Sequence, residues 1–366
     1  MTAAAPPSVL VIAIGEAHQL FHVLGTAREL HKEGVTTHLL VSTHWHEQIV
    51  AAHAPELSGA VRRAPLMYTD RPLHVCPPRA PNLVLARNMI AGYGAVLSPE
   101  RTSTLLKTLL GKRCPKLAHI PHGAGDRAKG YDRRISAFDL ILVAGQKDYD
   151  AFIARGLATA QNCHVIGYCK FDVLGGPAPR FFANDNPVVL YNPHFDEKLA
   201  SWLPFGEALV SAFGQMPEFN FIIAPHVRLR GKSRQLFDRL AAGPARPNLR
   251  FDGGSLHSIN MDYTRSAAVY AGDVSSQVYE FLQSPKPCVF ASAHGAAWQG
   301  DPHYRHWKFG EVGNSPEQVI SLIRSAFEDH AKYRAIQEAG FNAAIAVSHP
   351  SASNRAASLI HSFLKG

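Results

Sequence analysis

Two serines follow an aspartate at the end of an apolar run, in the segment Ala271–Glu280 (AGDVSSQVYE). Ser275 and Ser276 stand where a helix should begin, and such a helix start presents hydroxyls and free N–H groups to a phosphate. Glu280 lies one turn further along and can reach a group attached to that phosphate, such as a ribose hydroxyl. The pattern therefore predicts a phosphate site that includes Asp273. The alternative is an ordinary capped helix, since Asp and Ser are common caps.

A second segment, Phe221–Arg230 (FIIAPHVRLR), places a histidine directly after an apolar run. A side chain at the carboxyl end of a strand faces the cleft of an open α/β sheet, and arginines meet phosphate oxygens through a planar fork. His226 is therefore predicted to face the cleft as a catalytic candidate, and Arg228 to bind phosphate. The alternative is an exposed loop histidine beside solvated arginines. His194 follows another run in the same way, and a turn histidine is the simpler interpretation there.

A third segment, His119–Asp126 (HIPHGAGD), combines a histidine with a flexible glycine loop. Glycine lets the backbone approach a ligand closely. A neutral histidine, with a pKa near 6.5 in water, suits the removal of a proton from a hydroxyl. His122 and Gly123 are thus candidates for a general base and its loop, and a glycine turn with a bystander histidine is the alternative.

The first apolar run ends in Gly15, followed by Glu16, Ala17 and His18. Acceptor-binding loops lie at this position in two-domain α/β enzymes, so Gly15 and His18 are acceptor-side candidates. The segment is not G-x-G-x-x-G, and no dinucleotide is predicted. His18 and His22 share a helical face without an H-E-x-x-H motif. Because a metal site needs three or four converging ligands, neither a metal nor another cofactor is predicted.

These segments require strands that end at one edge of a parallel sheet. Short apolar strands alternate with helices throughout, which predicts an α/β fold with both sheet faces covered. We predict strands at Ser8–Ile14, Thr37–Ser42, Asn82–Ala86, Leu117–Ile120, Leu140–Val143, His164–Ile166, Val188–Tyr191, Asn220–Ala224, Leu249–Phe251, Ala268–Ala271 and Cys288–Ala291. We predict helices at Leu20–Leu30, Pro99–Leu110, Lys147–Arg155, Phe205–Phe213, Lys232–Ala241, Ser276–Leu282 and Ser351–Leu364.

A Pro/Gly-rich stretch at 173–187 interrupts the alternation and indicates a linker. It predicts a first domain at 1–172, a second at 188–345, and a terminal helix in 350–366 that could cross back to the first domain. Two α/β domains in series place a ligand cleft between them, at the carboxyl ends of the strands.

Composition narrows the class of protein. Of the 366 residues 46% are hydrophobic and 18% charged, which excludes intrinsic disorder. Five cysteines without a C-x-x-C pair indicate neither a disulfide framework nor a structural zinc site. No apolar run reaches the ~20 residues of a membrane span, and residues 1–7 lack the basic stretch of a signal peptide. The expected location is cytoplasmic.

The formal net charge of +8 is compatible with nucleic acid, an anionic membrane or phosphate-bearing substrates. Arg228, Arg230 and Lys286 fall beside the predicted phosphate site, and a basic surface suits peripheral contact with the inner face of a membrane. No RNA-binding aromatic signature is present, so nucleic acid is not predicted. The tract His294–Lys308 is rich in aromatic and basic residues, and the sequence leaves open an acceptor surface, an anion surface or a plain loop.

Taken in order, these segments resemble the GT-B-type transferases, and most closely the CDP-glycerol glycerophosphotransferase family that builds teichoic-acid-like polymers. The resemblance covers roughly residues 115–330. Its motifs are His122-Gly123, Asp139–Gly145, Val165–Tyr168, Pro225-His226, the D-x-S-S element with its acid (Asp273, Ser275, Ser276, Glu280), and Lys286-Pro287.

The resemblance implies a GT-B fold, in which two Rossmann-like domains with parallel sheets face a central cleft. It implies that His122 is near the acceptor as the general base. His226, Ser275 and Ser276 would hold the donor pyrophosphate, and Glu280 the ribose.

The function implied is transfer of a glycerophosphate or glycosyl group from a nucleotide-activated donor to an acceptor hydroxyl. The acceptor would be a surface polysaccharide or a lipid-linked precursor. Two alternatives stay open: an enzyme similar to the non-hydrolysing UDP-N-acetylhexosamine 2-epimerases, and a non-catalytic basic α/β binding protein. The sequence leaves open the donor base, the transferred group and the acceptor.

Overall fold

A computed structural model of the chain describes residues 7–126, 131–347 and 349–365. Residues 1–6, within the stretch for which no signal peptide is predicted, lie outside this range. The described chain divides into two compact units. Unit 1 holds residues 7–124, 131–175 and 342–365 except 348, and unit 2 holds Gly125, Asp126 and 176–341.

Unit 1 is built on a parallel sheet of seven strands in the order β3-β2-β1-β4-β5-β6-β7. The strands are β1 (Ser8–Ala13), β2 (Thr36–Thr43), β3 (Val61–Tyr68), β4 (Ala95–Ser98), β5 (Lys116–His119), β6 (Leu140–Val143) and β7 (Cys163–Val165). The helices of this part of the chain are α1 (Phe21–Lys32), α2 (His44–His53), α3 (Arg79–Ile90), α4 (Leu105–Leu110), α5 (Gln146–Ala154) and α6 (Cys169–Val173).

Unit 2 is built on a parallel sheet of six strands in the order β10-β9-β8-β11-β12-β13. The strands are β8 (Val188–Asn192), β9 (Asn220–Ile223), β10 (Leu249–Phe251), β11 (Val269–Gly272), β12 (Cys288–Ala291) and β13 (Glu311–Gly313). Its helices are α7 (Trp202–Phe213), α8 (Gly231–Ala241), α9 (Asp262–Ser266), α10 (Gln277–Phe281) and α11 (Pro316–Asp329).

The chain leaves unit 2 along α12 (Arg334–Ala344) and ends in α13 (Ala352–Lys365), which packs against α1 within unit 1. The backbone N–H of Ser353 donates to Asp172 Oδ2 at 2.7 Å, and the Asn354 amide donates to Glu29 Oε2 at 2.7 Å. The predicted terminal helix is confirmed as an element.

Each sheet reverses its strand order once, between β1 and β4 in unit 1 and between β8 and β11 in unit 2. Ligands of open α/β sheets bind at the carboxyl ends of the strands next to such a reversal. The predicted α/β class with two Rossmann-like parallel sheets is confirmed, and each sheet has its own hydrophobic core. Within the described ranges, no helix has the length and apolar character that a membrane crossing requires.

The strand predicted at Asn82–Ala86 is wrong, because this segment is the middle of α3. Leu83, Ala86 and Ile90 are buried at helical spacing, while Leu85 is 56% exposed. In the same segment, the buried side-chain amide of Asn82 accepts the backbone N–H of Leu66 and donates to the carbonyl of that residue. Unit 1 also contains the strands β3 and β4, which the apolar pattern of the sequence did not predict.

Candidate functional site

One glycine and four ionisable residues follow the strands at the strand-order reversal of unit 1, and we call this group site 1 (Gly15, Glu16, His18, Glu100 and His122). The first three follow β1, Glu100 follows β4, and His122 follows the neighbouring strand β5. Gly15, His18 and His122 were predicted from the sequence. Glu100 was missed because β4 itself was not recognised; its place two residues after a strand end is the signal that could have found it.

Arg79, from the first turn of α3, joins the two acids of site 1. Its Nε lies 2.5 Å from Glu100 Oε2, and its NH2 group lies 3.5 Å from Glu16 Oε1. Glu100 is only 4% exposed. Burial raises the pKa of Glu100 to about 7, against the opposing effect of the Arg79 charge. Site 1 therefore contains a carboxyl group that titrates near neutral pH.

Gly15 leaves room for this pair of side chains. A β-carbon at position 15 would overlap Oε1 of Glu100 and lie 2.6 Å from its Cδ and 2.7 Å from Nε of Arg79. Glycine at this position is therefore required by close approach of the acid, which gives the predicted acceptor-side Gly15 a physical role.

The ring of His122 is fixed by a backbone carbonyl. Its Nδ1 lies 3.0 Å from the carbonyl oxygen of Pro99, which can only accept, so Nδ1 carries the proton. In the neutral ring Nε2 then holds the lone pair. Nε2 lies 3.4 Å from the amide nitrogen of Gln19, a donor. This is the tautomer that a general base needs.

The charge state of His122 favours the same role. His122 is exposed as a residue, yet desolvation of its ring lowers its pKa, and the charges of Arg101 and Arg79 lower it further. The ring of His18 lies 5.8 Å away, edge to face, and its Nδ1 is 3.6 Å from Glu16 Oε2. His122 is therefore neutral and able to accept a proton at pH 7.

Gly123 follows with a φ of +79°, in the left-handed region that favours glycine. The predicted loop is thus a tight turn directly after His122. The next glycine in the motif, Gly125, belongs to unit 2.

The strand-order reversal of unit 2 carries a different group, which we call site 2 (His194, His226, Arg228, Ser275 and Ser276). His194 follows β8, His226 follows β9, and the two serines follow β11. His226, Arg228, Ser275 and Ser276 were site candidates from the sequence, and unit 2 places them after β9 and β11, the strands on either side of β8. His194 was interpreted as a turn residue, and it lies at the same edge.

Both histidines of site 2 have the tautomer opposite to that of His122. Nδ1 of His226 accepts the backbone N–H of Arg228 at 3.1 Å, and Nδ1 of His194 accepts that of Asp196 at 2.9 Å. Nε2 of each neutral ring therefore carries the proton and is a donor. The two rings lie 5.9 Å apart, and both contact Phe195.

Arg228 adds a cation to these donors. Its guanidinium lies over the ring of Phe195, 5.2 Å from the centroid. Burial lowers the pKa of Arg228, and the neighbouring charge of Arg230 lowers it further, although an arginine stays protonated at neutral pH. Two like charges close together favour an anion between or beside them.

Ser275 and Ser276 begin α10, as predicted. The cap is made by Ser275, whose Oγ accepts the backbone N–H of Gln277 at 3.2 Å, whereas the exposed Ser276 makes no cap bond. Glu280 is buried four residues later on the same helix. The sequence pattern thus located the helix start, and the structure assigns the capping bond to Ser275.

Asp273 is fully buried and holds the loop after β8. Its carboxylate accepts the backbone N–H groups of His194 (2.8 Å), Ser201 (2.6 Å) and Val274 (2.8 Å), and the hydroxyl of Ser201 (2.9 Å). These bonds fix the backbone that carries the His194 ring. Asp273 acts on site 2 through this loop.

Two basic features of the sequence, Lys286 and the tract His294–Lys308, contain side chains that are packed within unit 2. The ammonium of Lys286 donates to the carbonyls of Thr264 (3.2 Å) and Ala267 (3.0 Å), and burial lowers its pKa to about 8. In the tract His294–Lys308, His306 and Trp307 are buried. The sequence left this tract open; in the structure these two side chains are buried in unit 2, while Pro302, Arg305 and Lys308 are exposed. Among the side chains that the structure describes, no group of three or more His, Cys, Asp or Glu could hold a metal ion.

No family model matches the chain, and no curated protein matches it. Several solved structures are similar to the chain. The chain is similar to UDP-GlcNAc 2-epimerase from Neisseria meningitidis bound to UDP-GlcNAc, with a TM-score of 0.67, 14% identity, and coverage of 98% of this chain and 100% of that one.

It is also similar to the wall teichoic acid polymerase TagF (TM-score 0.65, 13% identity, 98% of this chain and 89% of that one). A third match is a putative UDP-N-acetylglucosamine 2-epimerase from Listeria monocytogenes (TM-score 0.64, 13% identity, 99% and 96%). These proteins share the GT-B fold, and at such identities the likeness shows the fold alone.

Proposed function

We propose that the protein is an enzyme that transfers a glycosyl or glycerophosphate group from a nucleotide-activated donor to an acceptor hydroxyl. The observation that carries this proposal is the pair of opposite histidine tautomers. His122 offers a lone pair at Nε2, which suits a base, and His226 offers an N–H at Nε2, which suits a phosphate.

Donor binding is assigned to unit 2. A diphosphate needs hydrogen-bond donors and cations that are already in place, because reorganising them during the reaction would cost free energy. His194, His226 and Arg228 supply these groups, and the hydroxyls of Ser275 and Ser276 lie at the same edge of the sheet. Glu280 is assigned to a ribose hydroxyl of the donor.

The reaction follows from these assignments. Nε2 of His122 accepts the proton of the acceptor hydroxyl, and the oxygen attacks the anomeric carbon of a sugar donor. The bond from that carbon to the β-phosphate oxygen breaks, and its electron pair leaves with the nucleoside diphosphate. For a glycerophosphate donor the oxygen attacks the β-phosphorus, the P–O–P bond breaks, and the nucleoside monophosphate leaves. Site 2 neutralises the charge that develops on either leaving group.

A second function is favoured by Glu100. A sugar 2-epimerase must remove and return a proton, and a carboxyl with a pKa near 7 in the same site as His122 suits a proton relay. Two of the similar structures are described as UDP-N-acetylglucosamine 2-epimerases. Incubation with UDP-GlcNAc in D₂O separates the two: epimerisation incorporates deuterium at C2 without any acceptor, and transfer does not.

The acceptor is proposed to be a polysaccharide or lipid-linked polymer at the inner face of a membrane, reached by a cytoplasmic protein in peripheral contact. The support is an exposed apolar patch on α3 with Val84 (37% exposed), Leu85 (56%) and Met89 (38%), beside the exposed Arg87. Binding to anionic vesicles should fall in Leu85→Ser/Met89→Ser and persist in Phe327→Ser, which alters an exposed apolar residue of unit 2. Equal vesicle binding by wild type, Leu85→Ser/Met89→Ser and Phe327→Ser would contradict the proposed membrane contact.

The transfer proposal is tested by mass spectrometry of products after incubation with CDP-glycerol or UDP-sugars and a polyol-phosphate or glycan acceptor. Transfer yields an acceptor heavier by one glycerophosphate or sugar, together with free CMP or UDP. Absence of product with every donor, together with absence of nucleotide binding, would leave the non-catalytic alternative.

A further inference from the structure

Asp126 is a buried carboxylate that the proposed reaction does not use. Both of its oxygens lie 2.9 Å from the hydroxyl of Tyr279. Oδ2 also lies 3.0 Å from Nδ1 of His306 and 3.2 Å from the backbone nitrogen of that residue. All three residues belong to unit 2, although Asp126 comes from the segment that follows the His122 loop.

The partners of Asp126 lie on both sides of the turn that carries Ser275 and Ser276. Tyr279 lies on α10, between Ser276 and Glu280 in sequence. His306 Nε2 lies 3.3 Å from the carbonyl oxygen of Asp273, and the indole N–H of Trp307 donates to the same oxygen at 2.9 Å. Asp126 is thus bonded to α10 directly and to the end of β11 through His306.

Gly125 brings this segment against the helix start. A β-carbon at position 125 would lie 3.0 Å from Cβ of Ser276 and 3.5 Å from its Cα. The chain at 125–126 therefore meets the donor helix at two points, at Ser276 through Gly125 and at Tyr279 through Asp126.

These contacts are needed because α10 is short. A helix of five residues is unstable in isolation, so its position depends on tertiary bonds. An amide in place of this carboxylate would offer one acceptor oxygen where Tyr279 and His306 now share two, and a hydrogen bond lost in a buried site is costly.

We propose that Asp126 is a positioning residue of the donor site: through Tyr279 and His306 it holds the Ser275-Ser276 turn and Glu280 in the place that binds the donor. The inference rests on the proposed function of site 2. It assigns the two halves of the HGAGD motif different roles, with His122 as the base and Gly125-Asp126 as the support for the donor helix.

The test compares Asp126→Asn with Asp172→Asn. Both replace a carboxylate that accepts a backbone N–H, but Asp172 accepts that of Ser353 within unit 1, whereas α10 belongs to unit 2. Hydrogen exchange of the unliganded proteins should show faster exchange of the amides at 276–281 in Asp126→Asn and unchanged exchange there in Asp172→Asn. Equal exchange at 276–281 in Asp126→Asn and wild type would overturn the inference.

Calorimetric titration with CDP-glycerol and UDP-GlcNAc provides the second readout. Asp126→Asn should weaken binding of the nucleotide that wild type takes by about tenfold, the effect expected when one hydrogen bond that supports the site is lost. Tyr279→Phe should act in the same direction, and Asp172→Asn should keep the wild-type Kd. If Asp126→Asn binds the nucleotide with the wild-type Kd, the inference about Asp126 is wrong and the proposed function still stands. If wild type binds no nucleotide, the proposed function is wrong.

Discussion

Gly15 and the Glu100 carboxylate are in contact so close that no side chain fits between them. A β-carbon at position 15 would lie 2.6 Å from Cδ of Glu100, while Arg79 Nε holds the other oxygen at 2.5 Å. The Glu100 carboxylate is thus held between the backbone of Gly15 and the guanidinium of Arg79. The place of Glu100 against Arg79 depends on the absence of a single methyl group at position 15.

Gly15→Ala should therefore displace Glu100 and Arg79 and lower both activity and stability. Overpacking a buried position costs about 1–3 kcal/mol. Gly59→Ala is the matched control in unit 1, since a β-carbon added there would have no atom within 4 Å. Thermal unfolding and turnover measure the effect; wild-type values for Gly15→Ala would show that the acid can move without loss.

Glu100→Gln should change how stability depends on pH. The pKa of Glu100 is about 7 in the folded protein and 4.5 for the free group, so between these values the folded state holds a proton that the unfolded chain releases. The free energy of unfolding then falls as the pH rises through this window, by about 1.4 kcal/mol per unit at most. Glutamine stays neutral, so the variant should gain stability relative to wild type as the pH rises from about 5 to 8.

Urea unfolding at the two pH values measures this difference. Glu47→Gln, which alters a surface ion pair with Arg63, should show no comparable gain. A Glu100→Gln curve parallel to that of wild type would mean that Glu100 is ionised throughout.

His122→Asn should slow transfer strongly while leaving nucleotide affinity unchanged. Asparagine keeps a donor for the Pro99 carbonyl and removes the lone pair of Nε2. Loss of a general base lowers turnover by about 10²–10⁴-fold. In wild type the pKa of His122 is lowered, so kcat/KM should stay level down to about pH 6.5, the ordinary value for histidine, and fall only in more acidic solution. Full turnover in the variant would remove His122 from the mechanism.

His226→Asn and His226→Gln should differ in nucleotide affinity. Asparagine can still accept the N–H of Arg228 but has no donor at the position of Nε2, whereas the glutamine amide can reach that position. A hydrogen bond to a charged group contributes about 1.5–3 kcal/mol, so the asparagine variant should bind roughly 10- to 150-fold more weakly. Equal Kd values for the two variants would show that Nε2 does not contact the ligand.

The sequence predicted the parts of the fold that local pattern determines. Apolar runs marked Leu140–Val143 and Cys288–Ala291 with the bounds that the structure has. It missed β3, an edge strand that contains Pro65 and two arginines, because such a strand lacks a continuous apolar run. It also interpreted the middle of α3 as a strand, because four apolar residues in a row fit a buried strand as well as a helix.

The residues of the candidate sites could likewise be predicted only in part. The ends of strands predicted His122, His226 and Ser275, because a strand end fixes the edge at which a side chain lies. The partners could not be predicted, since Arg79 meets Glu100 and Asp126 meets His306 only through long-range folding. Nor does spacing reveal a tautomer, which the Pro99 carbonyl and the Arg228 N–H determine here.

The central claim is that unit 2 binds a nucleotide-activated donor at site 2. Isothermal titration of CDP-glycerol, CMP, UDP and UDP-GlcNAc into wild type and Ser275→Ala/Ser276→Ala tests it most directly. We expect one nucleotide to bind wild type at one site per chain, and the double variant to bind it at least about tenfold more weakly, since two hydroxyl contacts are lost. No binding of any nucleotide by wild type, or the same Kd in the double variant, would contradict the claim.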